Sequence, residues 1–140
     1  MLSNTEKIMG VIKWINDTFV PLGLKPIEDL PKAVPDLGNS CVIAKVLRVN
    51  PYWGDAFVSA SHIHLGYTSN YKFKNNEEVD RFVATSYIAL PPEVRSFVSQ
   101  FDAGEYPELM DIEEMENLPL DVGYREELID IYNAWQEQQK

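Results

Sequence analysis

The chain has 140 residues, of which 45% are hydrophobic, and it carries a formal net charge of −10 at pH 7. This length closes one hydrophobic core and is too short for two ordinary domains, so we expect a single globular domain over residues 1–140. No apolar run approaches the roughly 20 residues that a membrane-spanning helix needs, and the lone Cys41 excludes an intramolecular disulfide framework. We therefore expect packing alone to hold the fold, with no membrane partner.

The first segment, Asn4–Val20, predicts an amphipathic helix with Asn4 or Thr5 as its cap. Its apolar side chains recur at helical spacing, at Ile8, Val11, Ile12, Ile15 and Phe19. The amino terminus lacks the basic and apolar pattern of a secretory signal, which favours a cytoplasmic site of action.

Residues 21–40 are rich in proline and glycine, so regular structure cannot persist there. Because these residues include many apolar side chains, we expect an ordered loop that wraps the core rather than a flexible linker. A short second helix then follows, with Asn39 or Ser40 as its cap. Its buried side is predicted to hold Cys41, Ile43, Ala44 and Leu47.

Residues 56–73 alternate β-branched or aromatic residues with small polar ones, which predicts two strands, at about Ala56–Ala60 and Ile63–Thr68. The next segment predicts a helix, because Asn75 or Asn76 can cap it. Acidic Glu77 and Glu78 suit its positive end, and its apolar face is formed by Val79, Phe82 and Val83.

Two later helices are predicted. The first begins at Pro91 or Pro92 and ends at Gly104; its apolar face holds Val94, Phe97, Val98 and Phe101. The last runs over about Tyr124–Gln138, with its apolar stripe formed by Leu128, Ile131, Tyr132 and Trp135. The expected fold class is α+β, a single small domain with four to five helices packed around a small antiparallel β-hairpin or sheet.

The charge is distributed unevenly along the chain. Residues 1–101 sum to zero, whereas residues 102–140 hold twelve carboxylates against Arg125 and Lys140, and so carry the whole −10. This acidic carboxyl-terminal part (102–140) is expected to pack on the domain. Such a segment opposes direct nucleic-acid binding and favours a protein with a basic surface. The candidate partner-binding residues are Tyr106, Asp111, Glu113, Glu114, Glu116 and Asp121.

Catalytic and metal-binding signals are sparse. His62 and His64 lie two residues apart, so a strand would place both imidazoles on one face. Together with Cys41 at a helix start, they leave open a small hydrolase or metal-dependent enzyme. Zinc, however, needs three or four ligands, and a cysteine within an apolar run is usually a buried hydrophobe. We therefore expect no cofactor, no metal site and no catalytic residues.

Aromatic residues near turns and strand ends are a further candidate contact surface, because aromatics are enriched at protein interfaces. They are Tyr52, Trp53, Tyr67, Tyr71 and Tyr106. The alternative is that they close the ends of a small core.

Two segments, "NSCVIAKVLRV" and "LPPEVRSFVSQFDAGEYPEL", carry a resemblance to known sequences. Over about a third of the chain they resemble small uncharacterised accessory proteins encoded by bacteriophages of actinobacteria. The resemblance implies a phage accessory protein acting in the host cytoplasm, and it transfers no catalytic residue.

Together these features predict a non-enzymatic protein-binding module, a phage-encoded modulator or inhibitor of a host protein, acting through an acidic and apolar surface. Three alternatives remain open. They are a nucleic-acid-mimicking inhibitor of a DNA-binding protein, the small enzyme built on His62, His64 and Cys41, and a virion structural component.

Overall fold

Helices and strands occupy separate parts of the chain, as expected for the α+β class. The computed structural model describes residues 2–35, 41–48, 55–118 and 120–139. Within these ranges five α-helices occur: α1 (Asn4–Phe19), α2 (Val42–Arg48), α3 (Pro92–Asp102), α4 (Ile112–Glu116) and α5 (Val122–Gln138). Strands β1 (Asp55–Val58), β2 (His62–Lys72) and β3 (Glu78–Ala89) form one antiparallel sheet in the order β1-β2-β3. The α+β prediction is confirmed.

Helix α1 confirms the first predicted helix but not its cap. Ser3 caps it, accepting a hydrogen bond from the Glu6 backbone N–H at 3.1 Å, while Glu6 accepts one from the Ser3 backbone N–H. This reciprocal capping box satisfies two donors at once, which explains why the cap lies one residue before Asn4. The buried face is Val11, Ile15 and Phe19.

The proline-rich segment is an ordered loop over its described part, as predicted. Leu24, Leu30 and Val34 are buried. The Asn16 side chain of α1 holds the loop by donating to the Ile27 carbonyl at 3.0 Å and accepting from the Ile27 N–H at 2.9 Å. Further along, Ala33 forms a parallel bridge to Met110. Apart from a 3-10 turn at Val20–Leu22, the described part of this segment is irregular, and these hydrogen bonds pair some of its backbone groups.

The inner face of the sheet supplies part of the core. Ala56, Val58, Ile63 and Leu65 are buried on this face, and α2 packs against β1. Helix α2 confirms the second predicted helix, and Cys41, Ile43, Ala44 and Leu47 are buried as expected. The predicted caps Asn39 and Ser40 lie outside the described residues.

The prediction of a helix starting near Asn75 is wrong. Residues 78–89 form β3, which pairs with β2 over its whole length. Residues 73–77 form the connecting turn, closed by a 2.8 Å hydrogen bond from the Phe73 N–H to the Glu77 carbonyl. Asn76 has a φ of 71°, a left-handed conformation that asparagine tolerates better than most residues. The asparagines predicted as a helix cap therefore belong to a hairpin turn.

The last helices confirm their predictions closely. Val94, Phe97, Val98 and Phe101 of α3 are all buried. Gly104 ends this helix with a φ of 81°, and a Cβ there would lie 2.9 Å from the Ile131 side chain of α5. Glycine at this position therefore both stops α3 and allows α5 to approach. No helix within the described residues has the length and hydropathy needed to span a membrane.

Gly66 allows a close approach between the two long strands. The register shifts between Leu65 and Gly66, so Thr85 is an extra residue in β3, and its hydroxyl donates to the Leu65 carbonyl at 3.2 Å. A Cβ on Gly66 would overlap the Val83 carbonyl oxygen and lie 2.8 Å from its carbon. Backbone, rather than a flexible side chain, would have to move to make room.

We expect Gly66→Ala to destabilise the fold by about 1–3 kcal/mol, because the bulge must open to accept the methyl group. Thermal unfolding followed by circular dichroism measures this as a midpoint lower by roughly 3–12 °C. Gly10→Ala is the matched control, since nothing lies within 4 Å of the added Cβ. It should stabilise α1 by about 0.5–1 kcal/mol. Equal midpoints for the two variants would contradict the close approach at Gly66.

Candidate functional site

Most of the predicted acidic site residues have local structural roles. Asp111 caps α4 by accepting from the Glu114 N–H at 3.0 Å, and Asp121 caps α5 by accepting from the Tyr124 N–H at 3.1 Å. A carboxylate at a helix amino terminus satisfies an unpaired amide and interacts favourably with the helix dipole. These two carboxylates are therefore engaged within the chain.

Glu114 joins two helices that are distant in sequence. It forms an ion pair with Lys45 of α2, whose ammonium also donates to the Lys32 carbonyl at 2.9 Å. Both charged side chains are partly shielded, at 22% and 32% exposure, so the pair is less screened than one on the open surface. Among the described residues, Glu113 and Glu116 are exposed and form no ion pair. They are what remains of the predicted acidic contact site.

Tyr106 must be reassigned from surface to core. Its side chain is 0% exposed, with its ring 4.7 Å from that of Phe97 between centroids. The phenol donates a hydrogen bond to Gln100 Oε1 at 3.2 Å. Burial, with smaller contributions from Glu105 and Glu108, raises the pKa of Tyr106 above its ordinary value. In this position Tyr106 offers no surface to a partner.

His62, His64 and Cys41 do not converge. Cys41 is buried in the core beside α2, on the inner side of the sheet, whereas His64 lies on the outer face between the rings of Phe57 and Tyr87. His62 is exposed, with its Nδ1 2.8 Å from the Ser61 hydroxyl. Within the described ranges no three His, Cys, Asp or Glu side chains are grouped so as to hold a metal ion. The geometry gives the small-enzyme alternative no support.

The β2–β3 hairpin projects beyond the core. We call residues 67–83 the arm: the outer part of β2, the turn and the outer part of β3. No residue of the arm is buried. β1 begins at Asp55, opposite Gly66, and within the described residues β3 is the strand that pairs with this part of β2. Six β2 residues, Tyr67–Lys72, give the arm a length of about 20 Å.

One face of the arm continues the inner face of the sheet. Strand alternation and register place Tyr67, Ser69, Tyr71, Val79, Arg81 and Val83 on it, and Phe73 follows in the turn with its ring against Tyr71. We call its apolar members and Arg81 the arm strip: Tyr67, Tyr71, Phe73, Val79, Arg81 and Val83. Its apolar members are 36–50% exposed. Arg81 stacks on Tyr71, with its guanidinium carbon 4.9 Å from the ring centroid, and the Tyr71 and Phe73 rings are 4.8 Å apart. The face that is buried at Ile63 and Leu65 is thus open to solvent farther out.

The arm tip is also concave. Tyr71, Phe73, Lys74, Asn75 and Glu77 line an open depression of about 510 Å³. Aromatic walls with polar groups at the rim suit the insertion of a partner side chain.

A second aromatic group lies on the outer face near the base of the hairpin. Phe57 of β1 lies 6.4 Å from Phe82 between ring centroids, and His64 lies 4.9 Å from Tyr87. Tyr87 is 63% exposed, whereas His64 and Phe82 are half-buried. These cross-strand contacts stabilise the sheet on the side opposite the strip.

No family model, curated protein or solved structure matches this chain. Its candidate site is therefore defined by its own geometry, in which the arm strip is the main exposed apolar surface of the described sheet.

Sequence reasoning identified part of this surface. Tyr67 and Tyr71 were predicted as candidate contact aromatics, and both are exposed on the arm; Tyr52 and Trp53 lie outside the described residues. Val79, Arg81 and Val83 were missed because they were assigned to a helix. The signal was present in the β-branched and aromatic residues that flank an Asn-Asn pair, a pattern typical of a hairpin.

We expect Tyr106→Phe to lower the free energy of unfolding by about 0.5–1.5 kcal/mol at neutral pH, because the hydrogen bond to Gln100 is lost. The raised pKa also makes a pH prediction. The folded state retains the phenol proton longer than the unfolded chain does, so this contribution is complete below about pH 10 and is lost as pH rises through the folded-state pKa. Urea unfolding between about pH 8 and pH 11 should therefore show a shallower alkaline decline in the variant. Parallel declines would contradict the assignment.

Glu114→Gln and Glu113→Gln separate structural from surface carboxylates. The first removes the ion pair with Lys45 and should lower the free energy of unfolding by roughly 1 kcal/mol. The second removes an exposed charge and should change it by less than about 0.5 kcal/mol. Urea unfolding at neutral pH measures both, and a larger loss for Glu113→Gln would reverse these roles.

Proposed function

We propose that this chain is a non-enzymatic protein-binding module whose arm strip forms the contact with another protein. The proposal rests on one observation. The inner face of the paired β2–β3 hairpin is buried in the core near its base, but its apolar side chains are exposed along the arm. Tyrosine, phenylalanine and arginine are enriched at the centres of protein interfaces, and the strip holds all three. Strand pairing fixes their relative positions before binding, which reduces the entropy lost on association.

The remaining acidic surface supports a second, electrostatic role. In the described part of residues 102–139 the only base is Arg125, whose guanidinium donates to the Leu118 carbonyl at 2.8 Å. The described part of this segment therefore offers no exposed cation to the exposed Glu113 and Glu116, and the electrostatic field around them is negative. Such a field attracts a partner with a basic surface and raises the encounter rate more than the affinity.

The setting that we propose follows the resemblance to actinobacteriophage accessory proteins, with a host protein as the partner and the host cytoplasm as the location. Modulation or inhibition of that protein is the corresponding activity. Nucleic-acid mimicry draws less support, because Asp111 and Asp121 cap helices and Glu114 pairs with Lys45. A row of unpaired carboxylates on one rigid face is what mimicry requires.

Affinity capture from an actinobacterial lysate tests the proposal with paired variants. Tyr71→Ser with Val79→Ser removes apolar contacts from the strip and should reduce recovery of a specific partner about tenfold, as expected when interface anchors are lost. Tyr87→Ser is the matched control, since it removes an exposed tyrosine from the opposite face of the same sheet. Mass spectrometry with label-free quantification compares the proteins recovered.

Glu113→Lys with Glu116→Lys tests the electrostatic role separately. This variant should slow association with a captured basic partner and reduce the salt dependence of that rate, with little change in dissociation.

If the strip variant and the Tyr87→Ser control recover the same proteins in equal amounts, the strip is not the contact.

A further inference from the structure

We propose that the arm strip, where no host protein covers it, binds a second copy of this chain, which gives a two-fold symmetric dimer joined arm to arm. The inference rests on the proposed function, in that it takes the strip as a protein contact, and it adds self-association at that contact. Three properties of the arm carry it: its charge, its length and the composition of its inner face.

The arm lies in the part of the chain that is neutral overall, so self-association through it meets little electrostatic opposition. It carries three bases and three acids, namely Lys72, Lys74, Arg81, Glu77, Glu78 and Asp80, so its net charge is zero. The whole −10 therefore belongs to the remainder of the chain. Two copies that met through any surface formed by residues 102–139 would bring like charges together.

The length of the arm keeps the acidic parts of two copies apart. When two arms pack antiparallel, face against face, the points at which they leave the core lie at opposite ends of the overlap, about 20 Å from each other. The Debye length at physiological ionic strength is about 8 Å, so repulsion across that separation is largely screened. A contact surface that is short, or that does not project from the core, would not separate the acidic parts of the two copies in this way.

The strip is also complementary to itself. The strip holds one charged residue, Arg81, and the Glu77 carboxylate lines the tip depression on the same face together with Tyr71 and Phe73, so this face offers charges of both signs. A two-fold axis near Tyr71 brings the guanidinium of each copy over aromatic rings of the other, while the valines meet apolar surface. Such cation–π contacts strengthen when water is excluded, and an isologous contact needs only one surface of this kind.

The area available indicates a weak dimer. An aromatic side chain offers roughly 150–250 Å², and the three in the strip are each close to half exposed. With the two valines, two strips together bury about 800 Å², which is below the roughly 1,200 Å² of stable specific complexes. We therefore expect reversible association with a dissociation constant in the range of about 10 µM to 1 mM.

Sedimentation velocity of the full chain, from about 5 µM to about 500 µM, tests the dimer directly. The wild-type chain should shift from monomer to dimer across this range. Tyr71→Ser with Val79→Ser should raise the dissociation constant at least about tenfold, whereas Tyr87→Ser should leave it within about twofold. Circular dichroism and thermal unfolding verify that each variant is folded.

Arg81→Glu provides a second variant that leaves every apolar side chain in place. Because Arg81 is exposed, the substitution should not disturb the fold, and it places a carboxylate where each guanidinium would meet the aromatic rings of the other copy, whose faces repel negative charge. It should weaken the dimer at least about tenfold. Lys72→Glu, on the opposite face of the arm in the neighbouring strand β2, is its matched control and should have a smaller effect.

Salt dependence distinguishes this arrangement from a head-to-tail contact between a strip and an acidic surface. Arm-to-arm association should stay constant or strengthen as salt rises, because screening reduces the repulsion between the acidic parts. Association that weakens with salt would overturn the arm-to-arm dimer. So would a chain that stays monomeric at all concentrations, or equal weakening by Tyr71→Ser with Val79→Ser and by Tyr87→Ser.

The same variants distinguish failure of this inference from failure of the proposed function. A monomeric wild-type chain whose strip variant still loses a captured host protein would overturn the dimer and leave the protein-binding function standing. Strip variants without effect on either self-association or capture would overturn both.

Discussion

The β2–β3 ladder is longer than the core that supports it, and the exposed surface of the sheet follows from this mismatch. Leu65 is the last residue of β2 that is buried on the inner face. Beyond Gly66 the two strands still pair with each other, and no other described strand pairs with them. Apolar side chains that would be core under a helix are therefore exposed, and a two-stranded ribbon of this kind gains stability when a further surface covers it.

Charge and apolar surface are separated along the chain. The arm is neutral and carries the aromatic strip, whereas the excess acid lies in residues 102–140. Had the carboxylates been spread over the arm, each would need desolvation when the strip was covered, at a cost that exposed aromatics alone do not offset. On this face of the arm a carboxylate lies only at the tip, where Glu77 lines the depression, so most of the strip remains available for an apolar contact in a chain with a net charge of −10.

Local periodicity was enough to predict α1, α3 and α5, because each buries one stripe against the core and ends at a proline, a glycine or a cap. It failed at β3 for a physical reason. In an exposed ribbon both faces carry apolar residues, so Val79 and Val83 on the inner face and Phe82 on the outer face reproduce helical spacing by coincidence. Only pairing with β2, which is a non-local property, distinguishes a strand from a helix in this segment. The Thr85 bulge then breaks the period of two that would otherwise have indicated a strand.

The acidic segment shows why a count of charges does not define a binding site. From the sequence, Asp111, Glu113, Glu114, Glu116 and Asp121 were equivalent. In the fold, two cap helices, one crosses to Lys45, and Glu113 and Glu116 face solvent. A carboxylate that satisfies a helix amide or an ammonium loses part of its field at long range, whereas an unpaired exposed one retains it. The acidic surface therefore affects the rate of encounter before contact, whereas the arm strip affects the residence time of the complex after contact. Because these effects operate at different distances, a change in one surface leaves the role of the other intact.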